Sequence, residues 1–128
     1  MKAVILLLVT AAAFNHQLHH NNLRSAIPGV DCLHKKTLNS VEFDSVFVKD
    51  LKQNRTDSCE TKFFCQAEKV LSAVQKLPEG CNIDNLLRNL KQIGKEKNCT
   101  VPKKGDEILL RSFLDDILKC SKKVFSTS

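Results

Sequence analysis

Cysteine, histidine and asparagine carry the chemistry open to this chain, and each occurs in an informative pattern. Six cysteines, Cys32, Cys59, Cys65, Cys81, Cys99 and Cys120, are spread over 128 residues. None stand in a C-x-x-C arrangement and no Cys/His pair has zinc-finger spacing, so zinc and dithiol redox readings fall away. An even number of well-separated cysteines in a small exported chain reads instead as a disulfide framework. The histidines are His16, His19, His20 and His34. The first three crowd into an Asn-rich stretch, where a solvated tail is a better reading than a weak metal contact. With every cysteine expected in a disulfide, no nucleophile–base–orienter set remains, and neither a Gly-rich phosphate loop nor an HExxH pattern occurs. The chain therefore reads as a non-enzyme without cofactor or metal.

Asparagine contributes two glycosylation sequons, Asn54-Arg55-Thr56 and Asn98-Cys99-Thr100. They agree with the N-terminus, where Lys2 is followed by an apolar run from Val4 to Val9 and small residues Ala11 to Ala13. That is the pattern of a secretory signal over residues 1–13. The run stops at Phe14, short of the roughly 20 apolar residues a membrane span needs. A secreted, monomeric protein with a flexible segment over 14–29 and one folded domain over 30–128 is expected.

Composition supports folding: 42% of residues are hydrophobic and 27% charged, with four Gly and three Pro, which argues against disorder. The formal charge is +6, so an acidic protein partner or a sulfated glycan would be attracted. Trp and Tyr are absent, and the seven Phe sit among apolar neighbours. Without exposed aromatic platforms for base stacking, nucleic-acid binding is not expected.

Four amphipathic stretches could position these groups. Leu110, Phe113, Leu114, Ile117, Leu118, Val124 and Phe125 recur at helical spacing and predict a helix over about 106–124, capped at Asp106. Arg111, Asp115, Lys119 and Lys122 lie on its opposite face. Ile83, Leu86, Leu87, Leu90 and Ile93 predict a helix over about 82–97, with Asn82 as its N-cap. Phe64, Ala67, Val70, Leu71, Val74 and Leu77 predict one over about 61–77, stopped by Pro78 and Gly80. Leu33, Thr37, Leu38 and Val41 give a partial stripe, placing the first helix at about 30–43 with Asp31 as cap. Val46-Phe47-Val48 suits a strand, and Thr100-Val101 is a candidate partner for it.

Four one-striped helices bury their apolar faces by packing into an all-α bundle. Only Cys81 separates Gly80 from Asn82, so the second and third helices are antiparallel. About 17 residues separate the first and second helices and about ten the third and fourth; the first can cross the bundle and the second can do so if nearly straight, which gives an up-up-down-down order. The exposed face of the third helix carries Asp84, Arg88, Lys91, Gln92 and Lys95, largely one stripe and mostly cationic.

Several segments resemble the interleukin-4/interleukin-13 family of short-chain helical cytokines. Thr61-Lys62-Phe63-Phe64-Cys65-Gln66-Ala67 with Val70-Leu71 is similar to the family's second helix, and Cys81 to the cysteine that follows it. Arg88-Asn89-Leu90 and Asn98-Cys99-Thr100-Val101 resemble the third helix and last crossing. Leu110-Arg111-Ser112-Phe113-Leu114 with Cys120 resembles the final helix, and Lys36-Thr37-Leu38-Asn39-Ser40 part of the first. The match covers about 60–125 and rests on the order of cysteines among helices.

The resemblance implies a four-helix cytokine that cross-links class I cytokine receptor chains, an interleukin-4 receptor alpha-like chain and a second one, to trigger type-2 immune signalling. It implies Arg88 as the foremost receptor contact, with Lys91 and Lys95 beside it, and Arg111, Asp115, Lys119 and Lys122 for the second chain. The acidic contact of the family's first helix falls at Leu33, leaving Glu42 as the nearest acid. Disulfides Cys65–Cys99 and Cys32–Cys120 are implied, with Cys59–Cys81 the remaining pair. That last pair spans the second helix, about 24 Å at 1.5 Å per residue. A disulfide needs Cα atoms within about 7 Å. Either the helix starts later or Cys59 is partnered elsewhere. Other short-chain cytokines, interleukin-2-like or interleukin-3-like, share the pattern. A saposin-like membrane-active protein fits less well, because its closely paired cysteines are missing.

Overall fold

The structure, a computed structural model, describes residues 2–51, 59–94, 98–103 and 105–127, with side chains from His20 onward. Its helices are α1 (Lys2–Leu38), α2 (Thr61–Ala73), α3 (Ile83–Ile93) and α4 (Leu110–Thr127). A 3-10 turn, Val41–Phe43, and two short strands, β1 (Phe47–Lys49) and β2 (Glu107–Leu109), complete it.

Helix α1 departs most from expectation. Leu23, Ala26, Val30, Leu33 and Thr37 recur at alternating steps of three and four and are almost wholly buried, so one narrow seam continues well before residue 30. The segment over 20–29, expected to be flexible, is helical because this seam packs against α3 and α4. Pro28 lies inside α1, on its exposed side. Its missing N–H and ring cost a helix about 3 kcal/mol. Burial of Leu23 and Ala26 on one side and Val30 and Leu33 on the other offsets this, at about 1.5–3 kcal/mol per large aliphatic side chain. Asp31 is consequently no cap; it sits mid-helix, paired with Lys35 at 3.0 Å. The helix ends at Leu38 rather than 43: Ser40 is extended, and the 3-10 turn that follows carries Phe43 into the core.

Helix α2 buries Phe63, Phe64, Ala67, Val70 and Leu71. It stops at Ala73, four residues early, because Val74 turns extended and leads Leu77 and the buried Pro78 back toward the core. Helix α3 begins as its cap predicts: Asn85 N–H donates to Asn82 Oδ1 at 3.1 Å. Leu86, Asn89, Leu90 and Ile93 are buried, and the helix closes on Gly94 rather than near 97. Asp106 is not a cap either. The residues after it form β2, which pairs antiparallel with β1 through Phe47↔Leu109, Val48↔Ile108 and Lys49↔Glu107. The expected partner, Thr100-Val101, is not in the ladder. The apolar alternation through Ile108, which the helical reading absorbed, suits a strand equally well.

Helix α1 packs against α3 and α4, and α2 packs against α3. Leu90, Leu110, Leu114 and Ile117 are fully buried at their junction. Cys65–Cys99 forms as expected, with Cα atoms 6.2 Å apart. The other two pairs are corrected: Cys32 joins Cys81 at 5.9 Å and Cys59 joins Cys120 at 5.4 Å, so neither Cys32–Cys120 nor Cys59–Cys81 forms. Cys59 precedes α2 and Cys81 follows it, at opposite ends of the helix. Each therefore bonds the cysteine of a neighbouring helix at its own end.

Candidate functional site

Burial of Leu86, Leu90 and Ile93 turns the other side of α3 outward. Asp84, Arg88, Lys91 and Gln92 are all exposed there, on an 11-residue helix whose start is fixed by the Asn82 cap and whose inner face is locked against α1 and α2. Asp84 occupies the first turn and Lys91 the last, each favourable for the helix dipole. Among the described residues, neither Arg88 nor Lys91 has a carboxylate partner. Lys95 lies outside the described residues.

A second polar stripe runs along α4. Arg111 donates from Nη1 to Asp44 Oδ1 at 2.9 Å, tying the start of α4 to the chain beyond the 3-10 turn. Lys119 pairs with Asp115 one turn earlier at 2.8 Å, and that hydrogen bond holds the ammonium above its ordinary pKa. Lys122 is exposed. Beside them, burial chiefly, then the charges of Asp115 and Asp50, raise the Asp116 carboxyl above the usual carboxylate range, with Lys119 opposing. The α4 stripe thus holds internal ion pairs, whereas among the described residues the α3 stripe presents Arg88 and Lys91 unneutralised.

The position that aligns with the acidic contact of the family's first helix lies in the core. Leu33, which stands there, is fully buried. Glu42 is exposed, yet it belongs to the 3-10 turn rather than to α1 and pairs with Lys76 at 3.4 Å. Lys76 also lies 5.7 Å from the centre of the Phe43 ring, a cation–π contact.

Asn98 is exposed, while its sequon neighbour Cys99 is buried in the disulfide to Cys65. Gln66 Nε2 donates to the Thr100 carbonyl at 2.9 Å and Lys69 Nζ to that of Cys99, which seats the sequon along α2. Asn54 lies outside the described residues, as do the side chains of His16 and His19. His20 stacks on Phe125 at 4.2 Å. Among the described residues no group of His, Cys, Asp or Glu is arranged to hold a metal ion, and no helix is long and apolar enough to cross a membrane.

Leu38 and Val41, expected in the buried stripe of the first helix, are instead exposed, because the core seam runs through Val30, Leu33 and Thr37; Phe47 is exposed as well. For Phe47 a signal existed: alternation in Val46-Phe47-Val48 turns Phe47 outward once Val48 is buried. No protein-family model, curated protein or solved structure matches the chain.

Proposed function

We propose that the chain is a secreted short-chain helical cytokine that binds and cross-links two class I cytokine receptor chains, an interleukin-4 receptor alpha-like chain and a second one, to drive type-2 immune signalling. The observation that carries this reading is the α3 face: Arg88 and Lys91 are exposed, without a carboxylate partner among the described residues, and presented by a helix whose opposite side is core. Such charges steer a partner with an acidic patch, and an Arg can then form a bidentate, desolvated carboxylate contact. The α4 stripe of Arg111, Asp115, Lys119 and Lys122 offers the second face that bridging needs. Sulfated glycans are a further partner for these cationic surfaces, which would hold the factor near its source.

An up-up-down-down order is supported by contacts at the two ends of the bundle. Lys76, just past α2, reaches Glu42, just past α1, so these helices finish together. Cys32 joins Cys81 at the start of α3, while Gly94 at its end lies against Cys65 near the start of α2. His20 meets Phe125 late in α4. Three disulfides accord with the oxidising compartments of the secretory route.

Surface plasmon resonance with an immobilised interleukin-4 receptor alpha ectodomain tests the proposal. Arg88→Glu is expected to weaken binding by about 30-fold or more, the effect of losing a hot spot, with thermal stability unchanged. Absence of binding by the native chain, or unaltered affinity in the variant, would reject the assignment.

A further inference from the structure

We propose that the cleft between β1 and α2 is a docking groove for an extended acidic polypeptide segment of a partner protein, seated by an aromatic or aliphatic side chain. This surface is separate from the α3 and α4 stripes and does not depend on their assignment. The cleft has a volume of about 520 Å³, and its floor is aliphatic, with Val46 and Val48 on one side, Val70 and Val74 on the other and Val101 between the elements. Phe47 stands in its lining with 54% of its surface exposed. An aromatic ring held outward on a strand offers apolar area that a seated side chain would remove from water.

Charge selects the occupant. Lys49, Lys69 and Lys76 line the cleft, whose one lining carboxylate is Glu107; Lys76 is paired with Glu42 outside it, so Lys49 and Lys69 supply the excess positive charge. Lys49 Nζ donates to the Lys103 carbonyl at 3.2 Å and Lys69 Nζ to the Cys99 carbonyl. A carbonyl satisfies one hydrogen bond without cancelling the charge, and each ammonium keeps further N–H donors. By contrast, the neighbouring cleft beyond the end of α1 carries two lysines, Lys36 and Lys76, against two glutamates, Glu42 and Glu79, and selects neither sign.

Shape selects a chain over a small anion. Four consecutive residues, Val46 to Lys49, line the cleft, a run of about 13 Å at 3.3 Å per residue. Lys69 lies on α2 and Lys76 on the segment that follows its end at Ala73, and Lys49 lies across from them on β1. A strand-like segment can lie along this run with its carboxylates toward the lysines while its apolar side chains alternate onto the valine floor.

The test is fluorescence anisotropy with the full chain and a fluorescein-labelled peptide, Asp-Glu-Phe-Glu-Leu-Asp. An analogue with lysine at every acidic position and sodium laurate as a competitor complete it. The acidic peptide is expected to bind about ten-fold or more tightly than the lysine analogue, and less tightly as salt rises. Ala73→Glu adds a like charge at an exposed cleft residue, and Phe47→Ser removes the ring. Each is expected to weaken the peptide about five-fold or more, with far-UV circular dichroism unchanged. Equal affinity for the two peptides would overturn the proposal. So would binding that responds to Arg88→Glu but not to Ala73→Glu, or a cleft that takes laurate and ignores the peptide.

Discussion

Gly94→Ala measures how tightly α2 and α3 are drawn together. Gly94 has φ −96°, a conformation any residue adopts, so backbone strain is not at issue. The obstacle is space. A Cβ there would stand 2.6, 2.7 and 2.8 Å from the N, Cα and Cβ atoms of Cys65. The first two belong to the backbone of α2 and the third is fixed to it, and Cys65 is further anchored by its disulfide to Cys99. Relief to ordinary contact requires the two elements to part by roughly 0.7 Å, and overpacking of this kind costs about 1–3 kcal/mol, at the upper end where backbone must move. At about 4 °C per kcal/mol for a domain of this size, the melting temperature should fall by about 8–12 °C. Gly29→Ala is the control. Its Cβ would meet the Leu86 side chain at 3.2 Å, and a helix-propensity gain of about 1 kcal/mol offsets the crowding. Thermal denaturation followed at 222 nm checks both. A Gly94→Ala melting temperature within about 2 °C of the native one would refute the close approach.

Three further outcomes follow from the core and its cross-links. Ser121 Oγ is fully buried without a hydrogen-bond partner among the described residues, so Ser121→Ala should stabilise the protein by about 1 kcal/mol; a lower urea midpoint would contradict this. Replacing Cys59 and Cys120 together by Ala opens a loop of 61 residues and should cost about 4 kcal/mol in the chain-entropy model. Non-reducing peptide maps should contain Cys32–Cys81 and Cys59–Cys120 fragments, and a Cys32–Cys120 fragment would sink the pairing. Asp116 has its folded pKa raised, mainly by burial. Between the ordinary carboxylate pKa and the raised one the folded state alone keeps this proton, so the contribution of Asp116 to stability falls as pH rises through that window and stays lower above it. Asp116→Asn should therefore raise the urea midpoint at neutral pH relative to acid pH, and an equal effect at both would refute the burial account.

Helical periodicity made three of the four helices legible because their apolar residues recur on one wide face: Leu86, Leu90 and Ile93 in α3, or Phe113, Leu114 and Ile117 in α4. The seam of α1 was also written in the chain, as Leu23, Ala26, Val30, Leu33 and Thr37. It was hidden by its narrowness, by a small residue and a threonine within it, and by Pro28, whose local preference is overridden by packing on both sides. Strand β2 was misread because Glu107-Ile108-Leu109 runs straight into a strong helical pattern, and three residues carry too little period to separate two from 3.6. Disulfide partners were beyond sequence reasoning in principle, since six cysteines permit 15 pairings. Only the helix ends, which bring Cys59 to Cys120 and Cys81 to Cys32, choose among them.

The outward faces differ in a way that sequence periodicity cannot show. Lys119 is exposed, as Arg88 and Lys91 are, and Arg111 and Asp115 are half-buried, yet all three on α4 are engaged with Asp44 or with one another. A partner docking on α4 must exchange existing ion pairs for new ones, so its net gain per charge is small. A partner docking on α3 meets charges with no internal competitor among the described residues, and the rigid, capped helix adds little ordering cost. If both faces bind receptor chains, α3 should form the tighter, more salt-sensitive contact and α4 the weaker second one. Raising ionic strength from 50 to 300 mM should then slow association at the α3 face more than at the α4 face. The reverse order in a two-receptor binding assay would show that the internal ion pairs of α4 are not what limits it.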